Sequence, residues 1–184
     1  MSRGCHKLSK LKNEFIAAYL QLLHYYSPNE VTVKQIVEKA NASRSTFYTY
    51  YESKEQLHLH LKDLLHQQFM TFYLAGEETK SGHDTTTLSL CRHILNYRAY
   101  YSYAFQDANE IQHLSNKLAE LLNIVYNDKD YAIFASYGTI GYLKNWVEEG
   151  FLISPIEASE KLLKIGFTNW ARDIQSEMPN FSSN

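Results

Sequence analysis

Apolar residues recur every three or four positions through most of this chain, and no stretch keeps the two-residue rhythm of a strand. Leu8, Leu11, Phe15, Tyr19, Leu22 and Tyr26 mark a first helix over about residues 7–26, and Ser27-Pro28-Asn29 ends it. Val33, Ile36, Val37 and Ala40 share one face of a short second helix. Thr32 stands just ahead of it, with Gln35 three residues on, in the pattern of a capping box. Asn41-Ala42 breaks the pattern, and Ser43 can cap a third helix. Ser53 with Gln56 opens a long fourth helix through Leu57, Leu61, Leu64, Leu65, Phe69 and Phe72, and the polar run Gly76 to Thr87 reads as a loop. A fifth helix is expected over Leu88 to Tyr103. A sixth starts at Asp107 with Glu110 and carries the stripe Ile111, Leu114, Leu118, Leu121 and Val125, broken by Asn127-Asp128. A seventh runs from Tyr131 to about Glu149 and ends at Gly150. Ser154-Pro155-Ile156-Glu157 opens the last, which carries Leu162, Ile165, Phe167, Trp170 and Ile174. The pattern predicts an all-α chain of roughly eight helices.

Thr32 to Tyr51 joins two short helices by a tight turn, a helix-turn-helix whose second member is offered to a DNA major groove. The string from Val31 to Leu57 resembles the TetR family of bacterial transcriptional regulators, whose members read T-V-x-x-I-A-x-x-A-G-V-S-x-x-T-F/L-Y-x-Y/H-F-x-S-K-E-x-L. The chain departs from that pattern at Val37, Asn41 and Tyr51, where the family usually has Ala, Gly and Phe. Asn tolerates the left-handed conformation of a tight turn, and Tyr keeps the ring. Farther on, Tyr137, Gly138, Gly141, Trp146, Gly150 and Phe151 are similar to the C-terminal pattern of a TetR subgroup from low-GC Gram-positive bacteria. The resemblance implies a three-helix DNA-binding head, residues 1–52, joined by a long helix to a dimerisation and ligand-binding body, residues 53–184.

Charge agrees with that division. Residues 1–62 carry nine Lys and Arg against five acids; the remainder carries nine against fifteen, so an N-terminal third of +4 precedes a remainder of −6. A basic head on an acidic body suits contact with nucleic acid at one end. No apolar run approaches the length of a membrane span, and the N-terminus lacks the apolar stretch of a signal peptide, which points to a cytoplasmic protein. Cys5 and Cys91 have no metal or redox spacing. His58, His60 and His66 do not share a helix face as a metal set would, so neither a metal nor another cofactor is expected. No phosphate loop, nucleophile elbow or paired acids offer catalysis, which excludes an enzyme reading.

The candidate DNA contacts follow from the head. Ser43, Arg44, Ser45 and Thr46 stand at the start of the recognition helix, where Arg44 suits a guanine edge and Thr46 a thymine methyl or a phosphate. Thr32 and Lys34 lie where the preceding helix begins, Tyr50 stands between packing and contact, and Phe47 and Tyr51 read as packing. The resemblance adds phosphate contacts from Tyr48 and Lys54. It also implies an effector pocket among the fifth to eighth helices. The tyrosine-rich run YRAYYSYAF and its followers then nominate Tyr97, Arg98, Tyr101, Tyr126 and Phe134 for an aromatic or amphipathic small molecule. A homodimer is expected through the last two long helices. Gly138 and Gly141 would allow close approach, and Tyr137, Ile140, Trp146, Leu162, Phe167 and Trp170 would supply apolar area. The expectation is a repressor that binds a double-stranded operator and is released by an effector. The alternative from another class is a TetR-like interaction module whose body docks a partner protein.

Overall fold

The computed structural model describes the backbone of residues 3–74 and 86–167, and the side chains of residues 10–74 and 86–166. Nine helices make up the described residues: α1 (Arg3–Leu22), α2 (Val33–Lys39), α3 (Arg44–Tyr48), α4 (Lys54–Leu74), α5 (Thr86–Asn96), α6 (Arg98–Ala104), α7 (Ala108–Tyr126), α8 (Lys129–Glu148) and α9 (Pro155–Phe167). Among the described residues no strand occurs and no helix is long and apolar enough to cross a membrane.

Local chemistry sets the boundaries in the head. The Gln35 carboxamide accepts from the Thr32 amide at 2.8 Å while the Thr32 hydroxyl accepts from the Gln35 amide at 3.3 Å, which satisfies two donors that a helix start leaves orphaned. At the other end of α2, the Asn41 amide bonds the Glu38 carbonyl and the Ala42 amide bonds the Val37 carbonyl, a Schellman closure. Asn41 sits at the left-handed position of that closure with φ 51, the conformation its short polar side chain tolerates. The tight turn of the motif is therefore made by asparagine where the family pattern has glycine.

The same device ends α8. Gly150 takes φ 71, its amide bonds the Val147 carbonyl, and the Phe151 amide bonds the Trp146 carbonyl. The Phe151 ring then lies edge-on to Trp146 at 5.0 Å, the apolar contact that accompanies such a closure. Ser154 and Glu157 form the expected capping box at α9, at 2.9 and 3.2 Å.

Two boundaries differ from the sequence expectation. The fifth helix divides at Tyr97 into α5 and α6, with φ −108 and ψ 28 at the break. The Tyr97 amide still bonds the His93 carbonyl, and the Tyr100 and Tyr101 amides bond the Tyr97 carbonyl, so the apolar periodicity runs through the kink and does not betray it. Glu110 also departs from its expected capping role. Asp107 caps α7 by accepting from the Asn109 amide, while Glu110 turns away to pair with Lys62 of α4.

One continuous cluster of buried side chains runs from Phe15 to Leu162. In the head Phe15, Phe47 and Tyr51 form its centre, and Leu57, Leu61, Leu65 and Phe69 carry it along α4 into the body. There α7 lies along α8, α9 packs on α5, and α6 touches both α1 and α8.

Candidate DNA-recognition surface

The recognition helix is short, and its presentation depends on one ring. Phe47 is fully buried, edge-on to Phe15 at 5.3 Å and tilted on Tyr51 at 5.6 Å. Burying such a side chain stabilises by about 1.5–3 kcal/mol, which locks α3 against α1. With Phe47 inward, Ser43, Arg44, Ser45 and Tyr48 are exposed and Thr46 is half-buried. The Ser43 hydroxyl accepts from the Thr46 amide at 3.0 Å and lies 2.8 Å from both the Ser45 and Thr46 hydroxyls. Three hydroxyls thus share hydrogen bonds around the start of α3, beside a guanidinium that reaches solvent. That edge can donate to base edges and phosphates at once. Tyr50 is half-buried on Phe15 at 6.1 Å, a packing residue with its rim at the surface. Lys34 is exposed and 3.9 Å from Glu38, an i,i+4 pair too solvated to restrain it.

Lys54, for which the resemblance implies a phosphate contact, has its ammonium engaged within the chain. Its ammonium donates to the carbonyls of Pro28, Asn29 and Val31 at 3.0, 2.8 and 2.8 Å. An ammonium has three protons, and three carbonyls take them. The loop between α1 and α2 is thereby fastened to the start of α4. Within that loop the Ser27 amide and hydroxyl both donate to the Glu30 carboxylate, which holds its carboxyl below the usual range.

Two tyrosine–histidine pairs join the head to α4. The Tyr19 hydroxyl shares a hydrogen bond with His58 Nδ1 at 3.0 Å and the Tyr51 hydroxyl one with His60 Nδ1 at 2.8 Å; burial pushes both phenols up to about 12. The His58 ring also faces Tyr100 of α6 at 6.1 Å, so one imidazole touches head and body. Sequence inspection missed these pairs: Tyr19 and His58 stand 39 residues apart, and Tyr51, just past α3, and His60 of α4, 9 apart, have no local pattern to join them.

The five residues nominated for an effector do not meet. Tyr101 is fully buried, its hydroxyl 2.8 Å from His93 Nε2, and the Tyr97 ring lies tilted against the same imidazole at 5.0 Å. Both belong to the packing of α5 against α6, and Arg98 points to solvent. Tyr126 and Phe134 are exposed on α7 and α8. A cleft of about 230 Å³ does open between α6 and α8, lined by Ser102, Phe105, Gln106, Val147 and Glu148. It is smaller than pockets that take drug-sized ligands.

The residues nominated for dimerisation also divide. Tyr137, Gly138 and Gly141 face outward on α8, and a Cβ added at either glycine would meet nothing within 4 Å. Ile140, Trp146 and Leu162 are buried within the single chain, so they hold α8 and α9 in place and add no outer surface. The Phe167 side chain and Trp170 lie outside the described residues.

Residues 15–61 match the family model described as bacterial regulatory proteins, tetR family. The whole-chain fold agrees with solved structures. A transcriptional regulator of the TetR/AcrR type from Aquifex aeolicus VF5 superposes with a TM-score of 0.66 at 17% identity, over 85% of this chain and 99% of that one. The head is thus of the TetR type and the whole chain has the fold of these regulators. A TetR transcriptional regulator from Streptococcus agalactiae 2603V gives 0.60 at 20% identity, over 89% and 97%. A protein described as the dihydroxyacetone kinase operon activator DhaS gives 0.65 at 15%, over 90% and 97%. At these identities the likeness is one of fold. No curated protein matches the chain by sequence. The TetR-type head occupies the part of the chain where the hydroxyl cluster and Arg44 are exposed.

Proposed function

We propose that this chain is a cytoplasmic transcriptional repressor of the TetR family that binds a double-stranded operator as a homodimer and is released by a small organic effector. The observation that carries the DNA-binding part is the exposed edge of Ser43, Arg44, Ser45, Thr46 and Tyr48, mounted on the buried Phe47. Arg44 reads a guanine bidentately; the hydroxyls, Tyr48, Thr32 and Lys34 hold the flanking phosphates. Lys54 supports this from behind by fixing the α1–α2 loop. A mobility-shift assay on the promoter beside its own gene tests the proposal. Retardation of that fragment and not of unrelated DNA supports it; equal retardation of both contradicts it.

The dimer part of the proposal rests on α8. Ile133, Phe134 and Tyr137 stand exposed along one side of it beside Gly138 and Gly141. Apolar side chains in a row on an outer helix face suit a partner. The residues buried within one chain take no part, and the interface is the outer face of α8 with the adjoining part of α9. Sedimentation of the 21.4 kDa chain as a monomer at tens of micromolar would contradict it.

Effector release is supported by the contacts between body and head. His58 lies between Tyr19 of α1 and Tyr100 of α6, so a shift of α6 reaches the head without passing along the whole of α4. A ligand acts here only through unequal affinity for the bound and released states. The test is a screen for compounds that both raise the melting temperature and release operator DNA. Compounds that stabilise without release locate a pocket uncoupled from the head.

A further inference from the structure

One half-buried imidazole sits where α1, α4 and α6 meet. His58 of α4 shares a hydrogen bond through Nδ1 with the Tyr19 hydroxyl at 3.0 Å, and its ring lies tilted against Tyr100 of α6 at 6.1 Å. Tyr19 and Tyr100 are both buried. The direction of the Tyr19–His58 bond depends on charge. A neutral imidazole accepts the phenol's proton at Nδ1; an imidazolium carries a proton on each nitrogen and can only donate. With His58 charged, the Tyr19 hydroxyl becomes the acceptor, and its own proton loses the partner that the described residues give it. A buried donor without an acceptor is costly, so the closed joint selects the neutral ring. The surroundings lean the same way. Burial holds the imidazole below the usual histidine range; Glu110 of α7 and Glu55 of α4 favour its charge, and Lys62 and Lys54 of α4 oppose it. Glu110 is already paired with Lys62, one turn along α4 from His58. A proton on His58 therefore both weakens its hold on Tyr19 and draws it towards a carboxylate that Lys62 occupies.

We propose that His58 is a proton-sensitive joint between head and body, and that operator affinity falls when its imidazole takes up a proton. The inference rests on the DNA-binding reading above and adds to it an input separate from any organic effector. The neutral ring fastens α1 to α4 and stands against α6. Phe15 of the same α1 packs on Phe47, the ring that presents the recognition helix. Loosening α1 at Tyr19 thus frees the mount of the DNA-reading edge. If the operator-bound state keeps His58 neutral and the loosened state protonates it, affinity falls by up to about tenfold per pH unit per chain between the two titration midpoints.

Operator affinity as a function of pH tests this. The full-length chain is titrated onto the promoter fragment beside its own gene, from about pH 7.5 to about pH 5.5, across the histidine range. Circular dichroism at each pH keeps unfolding apart from release. His58→Gln supplies an amide oxygen that accepts the phenol's proton and cannot charge. The expected result is a steep fall in affinity for the wild type and a much flatter curve for His58→Gln. His60→Gln is the control, because His60 makes the same kind of bond, to Tyr51 of the head at 2.8 Å. That variant should keep the wild-type fall; if it flattens the curve equally, the effect lies within the head and the inference is wrong. Parallel curves for wild type and His58→Gln overturn it as well. Nuclear magnetic resonance of the wild-type imidazole gives a reading that needs no variant. His58 should titrate at lower pH with the fragment bound than without it, and equal midpoints contradict the coupling. Binding that is specific but flat with pH leaves the DNA-binding reading standing and removes this inference. No specific binding even at the upper pH overturns both.

Discussion

Replacing Lys54 by methionine keeps the length of the side chain and removes its ammonium. In the wild type that group donates to three carbonyls at 2.8–3.0 Å, two of them in partly buried bonds. A hydrogen bond to a charged group is worth about 1.5–3 kcal/mol, and a buried acceptor left alone costs about 1–3 kcal/mol. Water can replace the bond to the exposed Asn29 carbonyl, and Glu30 keeps the inner turn of the loop through Ser27, so the three losses do not add in full. The expected cost is about 2–3 kcal/mol, or roughly 4–12 °C in melting temperature for a chain of this size. Thermal unfolding followed by circular dichroism reads it. The same variant separates the two roles open to this lysine. A phosphate contact, when lost, lowers the dependence of log affinity on log salt by about one unit per contact. An internal clamp, when lost, lowers stability and leaves that slope alone. A Lys54→Met protein with wild-type melting and a flatter salt dependence would refute the clamp.

Arg44→Ala is expected to relax sequence preference at one operator position and cost about 1–3 kcal/mol per half-site while leaving the melting temperature unchanged, as competition binding with single-base operator variants will show. Asn41→Val puts a β-branched residue at φ 51 and should destabilise the head by about 1–3 kcal/mol in urea unfolding, whereas Asn41→Gly should be tolerated. Burial depresses the His66 and His93 imidazoles to about 3 and about 4, so the folded chain holds both neutral where the unfolded chain protonates them below about 6.5. Their stability is fully present above that value and is lost as pH falls from about 6.5 towards 4, by about 2 kcal/mol each at pH 5. Urea midpoints from pH 7 to 5 should therefore fall less steeply for His93→Gln than for the wild type; parallel curves would sink the assignment.

Much of the head was legible in the sequence because its signals are local. Thr32 and Gln35, Ser43, and Ser154 with Glu157 lie within three residues of their partners, and each does in three dimensions what its spacing announces. Asn41 could be read as the turn residue for the same reason. The body was less legible because its decisive contacts are distant. Glu110 has the spacing of a cap, yet Lys62, 48 residues away, takes it. The tyrosines of Tyr97 to Tyr103 look alike in sequence, but a kink that preserves the apolar period puts Tyr101 wholly inside and leaves Tyr97 at the edge. Periodicity also names Trp146 and Ile140 as apolar without saying on which side of α8 they lie. The exposed glycines beside them mark the outer side only once the helix is seen in place. Lys54 matches a family pattern, and no pattern shows that the loop carbonyls lie within reach of its ammonium.

The central claim is that the edge carrying Arg44 reads DNA sequence from a two-fold pair of heads. Selection of the full-length chain against a pool of random duplex DNA tests it most directly. The account predicts enrichment of a palindromic site with half-sites about one helical turn or a small multiple apart, and loss of preference at one symmetric pair of positions when Arg44→Ala is selected in parallel. Recovery of no common sequence, or of the same site with undiminished preference by Arg44→Ala, would contradict it.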